Sequence, residues 1–432
     1  MTNSARKSEA FFGWAVVPAA FVLAMFGWGV GFYGPPIYLH SVIERTGWPL
    51  LLVSSAVTLH FLFGALIVVN LPAFYRRFGV ASVTIAGAVL LAIGIFGWSI
   101  AASPWQLFVA ALLSGAGWVA MGAAAINAII SPWFVRQRPA ALSTAYNGAS
   151  VGGIVMSPLW VALIAALGFA MASVLVGIAM VIAVCVLSLL FFAKTPESMG
   201  QQPDGAAAAT VEQAHASGSI RSVDGSTLWR DPSFLTLAAG MALGLFAQIG
   251  LIAHLFSILV PVLGQQAAGF AMGLATACAI GGRMIVGFLM PEHADRRLVA
   301  SLSYGVQVIG SVVFLMANGN PAMMLLGVAL FGSGIGNATS LPPLIAQVEF
   351  RKDDVKRVVP LIVAIGQATY AFAPAAFGLI RVVDPAFLGF GQNHTALFFI
   401  VAAAAQLLAI GCFLAGRKRL FSGADLTDRV SP

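Results

Sequence analysis

The sequence is dominated by long, uninterrupted runs of apolar residues, and no other feature limits its possible folds as strongly. A helix needs about 20 mostly apolar residues to cross the hydrocarbon core of a bilayer. Such runs, numbered here span 1 to span 12, cover residues 11–39, 50–72, 80–102, 106–131, 139–165, 168–193, 233–261, 267–290, 298–317, 321–347, 358–382 and 394–415. The runs are continuous rather than alternating, which favours helices over a barrel because every backbone group must be satisfied inside lipid. The sequence therefore predicts an all-α membrane protein with 12 transmembrane helices.

The distribution of charge predicts how the chain is oriented. Only 9% of the residues are charged, while 60% are apolar, which excludes an ordinary soluble domain. Of the 22 Lys and Arg residues, Arg45 and Arg381 fall in outer segments and Arg283 falls inside span 8, which leaves 19 for the tails and loops of the amino-terminal side. We therefore expect both termini in the cytoplasm and the spans in the inner (plasma) membrane. The net charge of +7 then matches an anionic lipid leaflet and does not indicate nucleic-acid binding.

The chain divides near its middle. Residues 194–232 are polar, small and rich in Gly, Ala and Ser, which is the composition of a flexible linker. Six spans lie on each side of it. We predict a first six-helix bundle over 1–193, a cytoplasmic linker over 194–232, a second six-helix bundle over 233–416 and a cytoplasmic tail over 417–432.

A weak internal sequence repeat indicates that the two halves are related. The segment "PWFVRQRP" follows span 4, and "VEFRKDDVKR" follows span 10. The separation from Phe134 to Pro158 is 24 residues, and it is the same from Phe350 to Pro374. Each half thus places a basic loop, a helix and a proline at matching depth, which is typical of transporters built from parallel repeats with a site between them.

No enzyme chemistry is recognisable. Cys185, Cys278 and Cys412 all fall inside predicted spans without metal-ligand spacing, and they are most simply small buried hydrophobic residues. There is no metal cluster, nucleophile–base pair or pair of carboxylates. We expect neither catalysis nor a cofactor.

The arrangement of spans and loops resembles the major facilitator superfamily. The loop between spans 2 and 3, "FYRRFGV", keeps part of the basic signature of that family, with Arg76 where an acidic residue is usual. The equivalent in the second half, "GRMIVGFLMPEHADRR", is better preserved. The resemblance covers the chain apart from its tails and linker. It implies two six-helix bundles that enclose a substrate site and alternate between two open states.

Finer features resemble the branch that contains monocarboxylate porters and oxalate/formate antiporters. They are "GVGFYGPPIYLH" in span 1, "GWP" before span 2, "SPWFVRQRPAALSTAYNGASVGG" across spans 4 and 5, and "TPESMGQQPDG" after span 6. In that branch the arginine of span 8 binds the substrate carboxylate, and Arg283 occupies this position. Two departures stand out, because Ala279 replaces the acid expected four residues earlier and span 11 lacks the lysine of oxalate transporters.

Arg283 also stands out because placing a charged side chain inside the membrane is energetically unfavourable. An arginine at the centre of a membrane helix costs at least about 2.5–3.5 kcal/mol, so it normally pairs, snorkels or lines a wet cavity. All 15 Asp and Glu residues fall in loops, tails or span ends, and a substrate carboxylate is the natural counter-ion for a planar guanidinium. Alternatively, Arg283 snorkels to the cytoplasmic surface or braces the loop after span 8 through Asp295, a reach of roughly 10 Å at helical rise.

Other polar residues inside spans are candidates to contact the same ligand. With Arg283, the candidate set is Tyr33, Tyr38, Asn127, Asn147, Gln248, His254, Asn337, Gln367 and Tyr370. For each one, hydrogen bonding between helices is an equally good explanation. The family resemblance favours Gln248 and His254 slightly, because span 7 lines the cavity there. His60 is better explained as a packed histidine.

Glycines and prolines in the spans predict close packing and helix breaks. "GAGWVAMG" in span 4, "GASVGG" in span 5 and "FGSGIG" in span 10 supply small faces on which helices can approach and slide. Pro35–Pro36 and Pro342–Pro343 predict breaks in spans 1 and 10.

These observations favour a monomeric secondary active transporter of a small organic anion, specifically a monocarboxylate, working by alternating access. Since moving an anion inward against the membrane potential is unfavourable, we expect proton symport or anion exchange, with His254 as the titratable candidate. The alternative is a multidrug or other small-molecule exporter, for which an acidic residue inside a span would be expected. A membrane sensor would require an output domain, and the linker and tails are too short and polar to form one.

Overall fold

The structure is a computed structural model that describes residues 11–204, 228–291, 294–383 and 395–417. In this part of the chain eleven helices are long and apolar enough to cross a membrane. The helices are Gly13–Gly31, Pro35–Thr46, Leu50–Phe78, Val80–Ile100, Pro104–Ala120, Ala123–Ile130, Arg138–Leu187, Pro232–Leu263, Gln265–Leu289, Arg296–Met316, Pro321–Glu349, Lys352–Ala371, Ala373–Val382 and Ala396–Ala415. A π-helical turn, Ser188–Phe192, extends the long helix, and Glu197–Met199 forms a short 3-10 turn.

The longest of these elements contains two of the predicted spans. Arg138–Phe192 has 55 residues, far more than one crossing requires. It is broken at Gly168, where φ is 76° and ψ is 160°, a conformation that glycine adopts without the penalty of a side chain. Spans 5 and 6 therefore end and begin as predicted, and the twelve-span architecture is confirmed.

Packing shows that the chain reverses direction at Gly168. Before the break, Gly148 packs on the backbone of Phe21 and Gly152 on that of Met25, so span 5 runs parallel to span 1. After the break, Ser173 lies 3.1 Å from Ser99 between their hydroxyl oxygens, while Gly177 packs on Ala92. Span 6 therefore runs antiparallel to span 3 and back across the membrane.

One of the two predicted proline breaks is present. In span 1 the first helix ends at Gly31 and a second begins at Pro35, as predicted. The expectation for Pro342–Pro343 was wrong, because the helix Pro321–Glu349 continues through both residues. Leu341 and Ile345, on either side, are buried in the core of the second half, and this packing holds the segment helical.

The predicted linker is docked at its beginning. Phe12 donates its backbone N–H to the side chain of Gln201 at 2.9 Å, and Gln137 donates to Asp204 at 2.8 Å. These bonds fix residues 194–204 against the first half, which the composition did not predict. The middle of the linker, residues 205–227, lies outside the described residues. Leu228 already belongs to the core of the second half.

Candidate binding site

The two halves of the molecule are joined by hydrogen bonds near one end of their spans. Ala375 of span 11 donates its backbone N–H to Thr58 of span 2 at 2.9 Å. Gln265, before span 8, donates to Glu44 after span 1 at 3.1 Å. The basic loops at 76–80, 131–138, 290–296 and 349–357 lie at the other end of the spans, which is called here the basic side. Both contacts are at the end opposite the basic side.

Spans 5 and 8 show the same one-sided closure. Gly269 packs on Val161 near the ends of these spans away from the basic side, and Gly153 packs on Thr276 near their middle. Nearer the basic side, Asn147 of span 5 is exposed, and so is Met284 of span 8, at 54%. The halves thus enclose a cleft that is shut at one end and open toward the basic side.

Arg283 sits in span 8 at this interface. A Cβ added to Gly336 of span 10 would lie 3.0 Å from its Nε, so the glycine makes room for the guanidinium. The residue is half-buried, and its Nε is buried without a hydrogen-bond partner among the described residues. Across the interface it interacts electrostatically with Tyr33 of span 1, whose hydroxyl meets the side chain of Thr276.

The alternative in which Arg283 braces the loop through Asp295 is wrong. Asp295 caps the helix Arg296–Met316 by accepting from the backbone N–H groups of Arg297 and Leu298, and it pairs with Arg417 at 2.5 Å. Burial alone would raise the pKa of the Asp295 carboxyl, but its hydrogen bonds and Arg417 lower the pKa overall. Asp295 is therefore fully engaged without Arg283.

Other described carboxylates are also committed at span ends. Glu349 accepts two bonds from Arg297, at 2.6 and 2.8 Å. Asp231 caps span 7, and Glu44 lies 3.4 Å from His40 besides accepting from Gln265. Within the described ranges, then, Arg283 has no carboxylate partner.

Gln248 and Asn337 each present an unsatisfied oxygen. Gln248 of span 7 is 2% exposed, and its side-chain oxygen has no donor among the described residues. Asn337 of span 10 donates to the carbonyl of Gly282 at 3.4 Å, next to Arg283, and its own oxygen also lacks a donor. Asn337, however, faces a groove between spans 8, 9 and 10.

The wall of the first half carries a second group of candidates. Asn127 donates to the hydroxyl of Tyr146 at 2.6 Å, and the adjacent Asn147 is exposed. Trp28 packs edge-on against Tyr146, with ring centroids 6.2 Å apart. On the second half, Gln367 is half-buried, and Tyr370 packs against Phe61 of span 2 at 5.9 Å.

Two candidates lie away from Arg283. Tyr38 is 1% exposed, donates its hydroxyl to the carbonyl of Val30 at 3.0 Å, and packs against Trp160. It therefore belongs to the core of the first half. His254 is fully buried toward the closed end, with Nε2 at 2.9 Å from the carbonyl of Pro374 and Nδ1 at 3.4 Å from Arg381.

His60 is a packed histidine, as expected. Its Nδ1 lies 2.8 Å from the hydroxyl of Ser114, and its Nε2 lies 2.9 Å from the carbonyl of Gly31. The side chain is 1% exposed. Both ring nitrogens are thus used in joining spans 1, 2 and 4.

Arg381 makes buried polar contacts that its position in the sequence did not predict. Counting loops placed it in an outer segment, but it is half-buried and donates to the hydroxyl of Ser257 at 2.7 Å. The available signal was its position as the penultimate residue of the run 358–382. Together with His254 it forms a polar contact between spans 7 and 11 at the closed end.

The glycine faces bring helices into close contact, as predicted. Gly115 of span 4 packs on the carbonyl of His60. In span 10, Gly332 and Gly336 pack on the carbonyls of Ala275 and Ala279. Spans 8 and 10 therefore approach closely beside Arg283.

Comparison with known proteins identifies the architecture. The family model of the Major Facilitator Superfamily matches residues 16–374. A bacterial homologue of the human lysosomal transporter Spinster, solved inward-facing and occupied, matches with a TM-score of 0.69 and 14% identity over 98% of this chain and 100% of that one. A mutant of the nucleoside transporter NupG matches with a TM-score of 0.70 and 11% identity over 93% and 100%. At these identities the solved structures show the fold alone, and no curated protein sequence matches the chain.

Proposed function

The chain belongs to the major facilitator superfamily, and from that premise we propose that this transporter carries a small organic anion, specifically a monocarboxylate, bound by Arg283. The two halves would alternate between the state described above and one that opens on the opposite side. We further propose that the basic side is cytoplasmic, since Lys and Arg concentrate there.

The observation that carries the proposal is the unpaired state of Arg283. Its Nε is buried without a partner among the described residues, and none of the ion pairs within them involves Arg283. A buried guanidinium without a counter-ion destabilises the ligand-free protein, so its presence is best explained by a function such as binding an anion. A substrate carboxylate supplies the missing charge and accepts two parallel N–H bonds.

One cationic anchor supports a monocarboxylate over a dicarboxylate. Arg381 is held by Ser257 and His254 at the closed end, so it is already used in packing spans 7 and 11. A second carboxylate on the substrate would enter a site that offers it no such partner, and burying it would be costly.

The environment of His254 bears on how transport is coupled. With Nε2–H donating to Pro374, the neutral ring accepts from Arg381 at Nδ1. Protonation would remove that acceptor and place two positive charges side by side. This geometry argues against a proton carried by His254. It supports either anion exchange or symport in which the proton accompanies the substrate bound at Arg283.

A multidrug or other small-molecule exporter remains the second candidate. The structural neighbours include a nucleoside transporter, so this fold accepts uncharged substrates. Against it stands the position of the described carboxylates at span ends, because a cationic drug would need an acidic partner in the cleft.

Uptake into proteoliposomes tests the proposal. Purified protein should take up at least one labelled monocarboxylate from a panel of mono- and dicarboxylates, and Arg283→Ala should abolish this uptake. Arg136→Ala provides a matched control, since Arg136 is exposed at the basic side. Uptake that survives in Arg283→Ala at the wild-type rate would refute the assignment.

A further inference from the structure

A groove of about 430 Å³ opens between spans 8, 9 and 10, separate from the cleft that holds Arg283. Its walls include Ile285 and Leu289 of span 8 and Leu302 of span 9. These side chains are 59, 75 and 63% exposed. All described lining residues belong to spans 8 to 10 or to the turn after span 8, and none belongs to the first half. We therefore place the opening of the groove toward the bilayer rather than toward the cleft.

The groove has a polar floor that nothing in the described protein satisfies. Asn337, 3% exposed, lines it, and the oxygen of its side chain has no donor. Directly behind the wall, the fully buried Gln307 packs on Gly334, and both polar atoms of its side chain also lack partners. A buried carbonyl oxygen without a donor is strongly unfavourable, and lipid tails offer none.

These features define the chemistry of an occupant. It must donate a hydrogen bond to Asn337, and the rest of it must be apolar to match Ile285, Leu289 and Leu302. Among the described residues the groove wall contains no charged side chain, which favours an uncharged occupant. A volume of this size falls within the range of small-molecule sites, about 300–1,000 Å³.

We propose that this groove binds a neutral, lipophilic alcohol that enters from the bilayer, with its alkyl body between spans 8 and 9 and its hydroxyl donating to Asn337. A single water molecule, even with the hydroxyls of Ser303 and Ser333 in the same wall as further partners, would leave most of the groove of about 430 Å³ unfilled, because a water molecule occupies about 30 Å³. The proposal does not depend on the identity of the substrate bound by Arg283.

Photolabelling tests the site with a defined probe. The full-length protein in lipid nanodiscs is irradiated with an octanol that carries a diazirine, and the labelled peptides are identified by mass spectrometry. Saturable labelling is expected within residues 282–291 and 299–306. Octan-1-ol should compete about tenfold better than heptyl methyl ether, an isomer with the same number of heavy atoms but no hydrogen to donate.

Variants separate a specific site from general lipid contact. Asn337→Leu should remove the preference for octan-1-ol, so that the alcohol and the ether compete equally. Thr339→Val, on the exposed side of the same helix, should leave the preference unchanged. Equal competition by alcohol and ether in the wild-type protein would overturn the proposal. It would show that the groove contacts lipid or water without binding a specific ligand. That comparison needs no variant, so it holds even if Asn337→Leu fails to fold.

Discussion

Replacing Arg283 with methionine should make the ligand-free protein more stable, whereas the same change at Arg297 should make it much less stable. Both arginines lie in the second half, but their surroundings differ. Arg283 has a buried Nε without a partner. Arg297, 1% exposed, makes a bidentate pair with Glu349 and also donates to the carbonyl of Ser233 at 2.8 Å.

The magnitudes follow from these contacts. An arginine at the centre of a membrane helix costs about 2.5–3.5 kcal/mol, and Arg283 is only half-buried, so its removal should gain about 1–3 kcal/mol. Removing one partner of a buried ion pair costs about 3–5 kcal/mol, because the other charge is left behind. For a half of about 190 residues, 1 kcal/mol shifts the midpoint by roughly 2–4 °C, so the two variants should move in opposite directions by several degrees.

Thermal unfolding in detergent, followed by the circular dichroism of the helices, measures both shifts. Arg136→Met, at an exposed position, should stay within about 0.5 kcal/mol of the wild type. Adding Glu349→Gln to Arg297→Met should recover part of the loss, since no unpaired carboxylate then remains. A fall in stability for Arg283→Met as large as that of Arg297→Met would show that Arg283 has a structural partner, and the argument for a substrate counter-ion would fail.

Three further predictions concern transport. Arg283→Lys should keep weak uptake, because lysine preserves the charge but loses the bidentate geometry; wild-type uptake kinetics in this variant would contradict the two-bond arrangement. Monocarboxylates should compete for uptake better than oxalate or malonate, and tighter competition by either dicarboxylate would reveal a second cation at the site. His254→Gln should retain counterflow exchange, since an amide can donate to Pro374 and accept from Arg381; complete loss of exchange in a folded variant would assign His254 a part in the transport cycle itself.

The number and limits of the spans could be predicted because the thickness of the bilayer fixes the length of an apolar helix. The break at Gly168 lies at the predicted junction, since the run 139–165 ends just before it and the run 168–193 begins there. Docking of residues 194–204 could not be predicted, because it depends on single hydrogen bonds such as the one to Gln201, and composition does not record them. The helix through Pro342–Pro343 likewise depends on packing around Leu341 that sequence periodicity does not reveal.

Of the candidate site, only the charged residue Arg283 could be predicted from the sequence. Arg283 stands out because a charged residue in a span is expensive wherever it lies. Uncharged polar residues can satisfy their hydrogen bonds either in the cleft or between packed helices, so their distribution depends on side-chain direction, which the sequence does not give. Tyr38 and Tyr33 are five residues apart in the same region, yet one is bonded within the core and the other faces Arg283. Arg381 was missed because a residue at the edge of an apolar run can be either exposed or drawn inward by a partner such as Ser257.

Equilibrium binding to the purified protein tests most directly whether Arg283 binds the carboxylate of the substrate. The transported acid and its primary amide, which has the same shape without the charge, are titrated into the wild type and Arg283→Ala by isothermal calorimetry. We predict saturable binding of the acid to the wild type alone, with no measurable binding of the amide to either protein. Binding of the acid to Arg283→Ala with unchanged affinity would contradict the assignment of Arg283 as the anion anchor.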